Sequence, residues 1–489
     1  MAVSEAPQEQ SPNAAPLTRD QLLRLAKVAP ESLVDLVLAL QEQVRLLTLQ
    51  VRRLEERLAQ NSRNSHRPPG SEGFDKPPAP KSLRAKSGRE PGGQPGHPGS
   101  TLRQVEHPDH ILIHAVAACP CGRCGGVPLA AEPLLGCEKR QVFDLPPRRL
   151  EVTEHRAEIK RCPASGEKVR AAFPAGVKAA TQYGPRFQSL LVYLGAQQLL
   201  PFDRLRQLCE DLFGQPVSLG TLAAANESLS QSLAGYEAQV VNQLRRAEVL
   251  HVDESGVRVA GRLHWLHTAG TSKLTFYSVQ ARRGAEAMDA AGVLPRFQGW
   301  AVHDFWSPYL RYECAHAFCN AHLLRELKFL FEEQKLAWAG RLMELLREFH
   351  GLAKAQPSLG EKLIERCQKR YHALLKAARR QHPRPAAKAP RAKQSKAANL
   401  LDRLEDYDQC VLAFLSVPQV PFTNNQAEQD IRMIKVRQKI SGSFRTLKGA
   451  QVFATIRGFL STARKQGIDL LQALTQAFSG ESFLSLASA

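Results

Sequence analysis

The chain has 489 residues, with 66 Lys and Arg against 47 Asp and Glu, a formal net charge of +19. That length exceeds one ordinary domain, so several modules are expected. The basic excess points to a polyanionic partner, of which nucleic acid is the usual one. No apolar run reaches membrane-spanning length and no basic-then-apolar secretion signal opens the chain, which predicts a cytoplasmic protein without a membrane partner.

After a disordered start over residues 1–20, a heptad pattern begins at Leu33. Leu33, Leu40, Leu47 and Leu54 recur every seven residues, interleaved with Val37, Val44, Val51 and Leu58. That spacing is the seam of a coiled coil, and Val at a with Leu at d favours a parallel dimer. A coiled-coil helix is expected over residues 17–60, followed by a flexible basic linker over 61–109 rich in Gly and Pro.

Of the ten cysteines, Cys119, Cys121, Cys124, Cys137 and Cys162 crowd one stretch, which reads as metal ligation rather than a disulfide framework. Cys121-Gly-Arg-Cys124 is one knuckle, and Cys162-Pro-Ala-Ser165 stands where a second would be. Alternating stretches at Gln141–Leu145 and Leu150–Lys160 suggest a hairpin between them, so residues 110–175 approach a zinc ribbon. Ser165 replaces the fourth ligand, leaving Cys119, Cys137 or His155 to complete a tetrahedron. Residues 180–245 are expected to be helical. Asp203–Phe213, Gly214 and then Ser218–Asn226 fit either a helix-turn-helix or a simple helical hairpin.

The texture changes at residue 247. Val249–Asp253, Arg258–Ala269 and Leu274–Val279 are strand candidates, Gly284–Val293 is helical, and Gly299–His303 is a fourth strand ending at Asp304. Three strands, a helix and a fourth strand, with acids ending the first and fourth, is the order of a ribonuclease-H-like α/β fold. Its first and fourth strands are neighbours, so Asp253 and Asp304 are expected to converge. Convergent carboxylates hold the divalent ions that stabilise the attacking and leaving oxygens of a phosphodiester. Glu254 should point to the opposite face of its strand.

A third acid is expected from a later helix, and Glu428, behind the N-capping run Thr423-Asn-Asn425, is the candidate, with Asp430 as competitor. A Glu428–Arg432 ion pair at i,i+4 is the commoner fate of such a glutamate. A helical insertion is expected over about 320–415, within a core spanning 246–465. Cys319 and His322 have metal-like spacing, but two ligands cannot fill a tetrahedral site, so packing or hydrogen bonding is expected of them. Lys376–Lys396 holds eight basic residues and no acid, and reads as a DNA-touching loop or a solvated insert. Arg432, Lys435, Arg437 and Lys439, continued by Arg445 and Lys448, are the better candidates for gripping phosphates. Residues 466–489 read as a tail.

Together these features resemble the transposases of the insertion sequence 66 family. The resemblance rests on the heptads, Asn61-Ser-Arg-Asn-Ser65, Pro68-Pro69, the cysteine knuckles, His251-Val-Asp-Glu-Ser255, His303-Asp304, Cys319-Asn-Ala-His322 and Asn424-Asn-Gln-Ala-Glu428 with Ile431-Arg432. It implies a DDE transposase of a bacterial mobile element, associated with the nucleoid. It also implies Asp253, Asp304 and Glu428 as catalytic acids on Mg2+ or Mn2+, and Cys121, Cys124 and Cys162 as three zinc ligands, with Ser165 departing from the fourth. Double-stranded DNA, a second copy of the chain and accessory proteins of the element are the implied partners. The alternatives are an inactive DNA-binding relic and a nuclease that cuts without joining.

Overall fold

The computed structural model describes residues 18–58, 102–145, 149–356, 358–384 and 394–480. Residues 1–17 of the expected disordered start and most of the linker expected over 61–109 fall outside those residues, whereas Thr18, Arg19 and Asp20, also expected to be disordered, cap and open a helix. The chain divides into two compact units, residues 76–227 and residues 1–75 with 228–489.

The expected coiled-coil region is two helices, α1 (Arg19–Val28) and α2 (Pro30–Leu58). Thr18 and Gln21 close a capping box on α1, and Pro30 has no N–H to extend that helix, so it starts a new one. Val37, Leu40, Val44, Leu47, Val51 and Leu54 are all exposed, so the heptad stripe has no cover within the described chain.

In the smaller unit the hairpin is β1 (Ile159–Arg161) with β2 (Lys168–Arg170), paired antiparallel around the Cys162–Ser165 turn. The strands expected at 141–145 and 150–158 do not form. Val142 and Val152 are exposed, so alternation there has no apolar layer to pack against. Helices α3 (Pro185–Val192), α4 (Phe202–Phe213) and α5 (Leu219–Ser232) follow the helical expectation. Gly214 ends α4 in the left-handed conformation and Ser218 accepts the Thr221 N–H at 3.0 Å, so the predicted punctuation is real.

The larger unit is built on a mixed five-stranded sheet preceded by α6 (Ala234–Leu244). Strands β3 (Val249–Val259), β4 (Arg262–Gly270) and β5 (Thr275–Gln280) form an antiparallel meander. After α7 (Ala285–Ala291), β6 (Trp300–His303) pairs parallel to β3, and β7 (Ala315–Phe318) parallel to β6, giving the order β5-β4-β3-β6-β7. Arg258–Ala269, expected as one strand, is a hairpin turning at Ala260-Gly261, both with positive φ.

One face of β3 sends Leu250 and Val252 into a core with Val240, Leu244, Met288 and Tyr309. The other sends Val257 and Val259 against Ile431, Ile434 and Phe444. Gly299 brings β6 up to β3, because a Cβ there would stand 2.5 Å from the carbonyl oxygens of Ala247 and Glu248.

The helical insertion follows as α8 (Asn320–Glu332), α9 (Ala337–Ala355), α10 (Glu361–Arg379), α11 (Lys396–Asp406) and α12 (Asp408–Ser416), around an apolar core that includes Trp338, Phe349 and Tyr371. Of the basic run at 376–396, residues 385–393 are not described. Arg379 and Arg384 are tied to Asp402 and Glu405 of α11, at 2.8–3.3 Å.

Helices α13 (Asn425–Ser441) and α14 (Leu447–Lys465) return to the sheet, α13 against β3 and α14 against β5. The expected tail holds a last helix, α15 (Leu470–Ser479). Asp469 caps it, and Leu470, Ala473, Leu474 and Ala477 bury one face, a 3–4 spacing that the prediction of a tail overlooked.

Candidate active site

The β3–β6 register pairs Leu250 with Ala301 and His251 with Val302. Two positions further, Asp253 on β3 comes level with Asp304, the first residue after β6. The Asp253 carboxylate accepts the Glu254 N–H at 2.8 Å, and that of Asp304 accepts the Trp306 N–H at 3.0 Å. Burial, then the charges of Glu254 and Asp304, push the Asp253 carboxyl well above the usual carboxylate range, while Lys435 of α13 opposes the rise.

The pleat turns Glu254 to the opposite face, as expected. There it is buried, ion-paired with Arg283 and bonded by the Tyr309 hydroxyl. The Arg283 guanidinium lies over Trp265 at 4.8 Å and Trp306 at 4.0 Å from the ring centroids. Nothing in the spacing of Glu254 and Arg283 announces this pair; only the pleat hints at it.

Glu428 occupies the first turn of α13. Asn424, read from sequence as an N-cap, makes no side-chain cap. Its amide instead donates to the Val252 carbonyl at 2.8 Å and meets His251 Nδ1 at 2.8 Å, while its backbone N–H donates to Cys319 Sγ at 3.1 Å. Asn424 therefore pins the start of α13 to β3 and to the chain leaving β7.

This places Glu428 with Cys319 and His322, one ligand atom from each lying within 4.8 Å of the others. Among the described residues, Asp253 and Asp304 do not join that group. The cation paired with Glu428 is Arg325 of α8, at 3.9 Å. Asp430, the competitor, is buried and holds Lys465 at 2.8 Å.

Of the basic candidates, Arg432 and Lys439 are exposed, as are Arg445 and Lys448. Lys435 is half-buried and acts on Asp253. Arg437 stacks 3.4 Å from the Phe444 ring centroid and 5.1 Å from that of Phe453, and burial lowers its guanidinium to about 10. The neighbouring imidazole of His303 is fully buried, bonded to His316 at 2.9 Å, and lowered to about 3 by burial and then by His316.

In the smaller unit, Cys119, Cys121 and Cys124 bring their sulfurs within 4.8 Å of one another. The Cys121 thiol is lowered to about 7, chiefly by the Arg123 backbone N–H. Cys162, which the knuckle spacing paired with Cys121 and Cys124, is not in that group; Cys119 is.

The family model described as Transposase IS66 family matches residues 180–452, more than half of the chain. The chain belongs to that family. The matched span of the transposase holds Asp253, Asp304, Glu428, Cys319 and His322, and membership makes DNA its implied partner. A second model, a family of unknown function (DUF6444), matches residues 5–103. A search of curated proteins found no match. Among the described residues, no helix is long and apolar enough to cross a membrane.

Proposed function

We propose that the transposase cuts DNA at the ends of its element and joins the freed 3′ ends to target DNA, using a ribonuclease-H-like core with Asp253, Asp304 and Glu428 as its metal-binding acids. The observation that carries this reading is the meeting of Asp253 and Asp304 where the β3–β6 pairing ends. The sheet order β5-β4-β3-β6-β7, with β6 parallel to β3, supports the ribonuclease-H-like reading of the core. Glu428 is supported by its place on α13, which packs on β3, and by its motif.

The donor set fits hard divalent ions. Asp253 is held against two further carboxylates, opposed by the Glu254 N–H and then by Lys435, so a cation of the Mg2+ or Mn2+ kind would relieve the repulsion. Such ions supply charge stabilisation to the attacking and leaving oxygens of an in-line displacement. Asp253 and Asp304 would hold them, with their carboxylates oriented by the Glu254 and Trp306 N–H groups. Arg432 and Lys439 would meet phosphates beside the site, whereas the Arg437 guanidinium is taken up by the Phe444 and Phe453 rings.

The remaining parts take supporting roles in the same proposal. Cys119, Cys121 and Cys124 would hold zinc, with a fourth ligand from elsewhere. Helices α4 and α5 would read the element ends, and the exposed heptads of α2 would pair two subunits. Accessory proteins of the element would join the assembly.

Purified protein with Mg2+ and labelled element ends should release 3′ ends and join them to target, and Asp304→Asn should abolish both. Equal activity in that variant would overturn the assignment. Cutting without joining would reduce the reading to a nuclease, and binding without cutting under Mg2+ or Mn2+ would reduce it to a DNA-binding relic.

A further inference from the structure

Cys319, His322 and Glu428 form a second group of ligating side chains close to the acid pair. Cys319 is the N-cap of α8 and His322 its third residue, positions whose side chains lie over the same turn. Glu428 comes from the first turn of α13, and the Asn424 N–H bonded to Cys319 Sγ at 3.1 Å fixes the two helix starts together. Helix N-termini favour negative charge, so two of them converge on a thiol and a carboxylate. The Glu428 Oε1 atom is buried, accepts no hydrogen bond, and has Arg325 Nη2 at 3.9 Å.

We propose that Cys319 Sγ, a His322 ring nitrogen and one Glu428 carboxylate oxygen bind a borderline divalent cation of the Zn2+ or Co2+ class, with its fourth position open and the second Glu428 oxygen left to the ions of the acid pair. Mg2+ and Ca2+ take oxygen ligands, whereas a sulfur, nitrogen and oxygen set suits Zn2+ and its neighbours. A tetrahedral ion with bonds of 2.0–2.3 Å needs ligand atoms about 3.3–3.8 Å apart. The three atoms already lie within 4.8 Å, so small side-chain rotations close the set. Binding releases the Cys319 thiol proton to solvent. The register pairs His303 with Phe318, so Cys319 follows β7 as Asp304 follows β6, and the ion would lie beside the acid pair. The site stands whether or not Asp253 and Asp304 cut DNA.

Co2+ titration of the full-length Cys121→Ser, Cys124→Ser protein tests this with the other thiol group silenced. One equivalent of Co2+ should give thiolate-to-cobalt charge-transfer absorption and the visible bands of a tetrahedral ion. Cys319→Ser should remove the charge-transfer band, and His322→Ala or Glu428→Gln should weaken binding roughly tenfold or more. Asp304→Asn should leave the spectrum unchanged even where it abolishes cutting, which separates this site from the cleavage reading. The same band in folded Cys319→Ser, or no binding at stoichiometric Co2+ in the parent, would overturn the proposal. Should Cys319→Ser misfold, Glu428→Gln decides, because that carboxylate accepts no hydrogen bond at Oε1 and caps no helix.

Discussion

Burial and two neighbouring carboxylates hold the Asp253 carboxyl above its ordinary value, so its ionised form is disfavoured in the folded chain. The folded state therefore keeps this proton to higher pH than the unfolded state does. The stability that follows is present below the ordinary value of 3.8 and is lost as pH rises from there through the raised folded value. Metal-free protein should melt at falling temperature across that window. Mg2+ at a hundredfold over its Kd should restore about 2.7 kcal/mol at neutral pH. Both effects should vanish in Asp253→Asn, as scanning calorimetry would read; an equal Mg2+ shift in that variant would remove Asp253 from the metal site. Asp430 shows the contrasting arrangement, a buried acid on the same side of the sheet with Lys465 placed on it. That difference is invisible in sequence, where both are acids near basic residues.

At the scale of elements, the meeting of Asp253 and Asp304 depends on how closely β6 approaches β3. Gly299 permits that approach, since the atoms a Cβ would meet at 2.5 Å are backbone oxygens that cannot rotate away. Gly299→Ala should destabilise the fold by about 1–3 kcal/mol and depress cleavage beyond its effect on folding, measurable as lost activity at a temperature where circular dichroism still reports native protein. Strand order was legible because acids ended two apolar runs and short segments alternated. The β3–β4 turn was not, because Ala260-Gly261 lacks the Asn-Gly or Asp-Gly signal of such hairpins, and Ala260 holds φ 48° with its N–H bonded to the Phe444 carbonyl at 2.7 Å. Tertiary contact, not local chemistry, sets that turn. The same holds for Asn424, whose preference for helix starts is satisfied by position while its side chain serves β3.

Across the whole molecule, the insertion α8–α12 surrounds an apolar core that also takes in Phe318 of β7, and it meets the site through Cys319, His322 and Arg325, through Arg403 over Phe305, and through the chain into α13. Periodicity announced those helices, yet it could not say that the first would carry Cys319 and His322 to Glu428, because that meeting joins residues more than a hundred positions apart. The ion pairs within the insertion bear on DNA binding. Arg379 and Arg384 already face Asp402 and Glu405, so they displace no ions when a duplex arrives. The count of 66 Lys and Arg therefore overstates the cations free to neutralise phosphates and release their counterions. In binding measured against salt, Arg384→Gln should leave the slope of log K on log salt unchanged, whereas Arg432→Gln should make it shallower by about 0.9. A shallower slope in Arg384→Gln would mean that its pairs with α11 open on DNA. What the transposase offers to phosphates is set by which cations its own fold has left exposed to water.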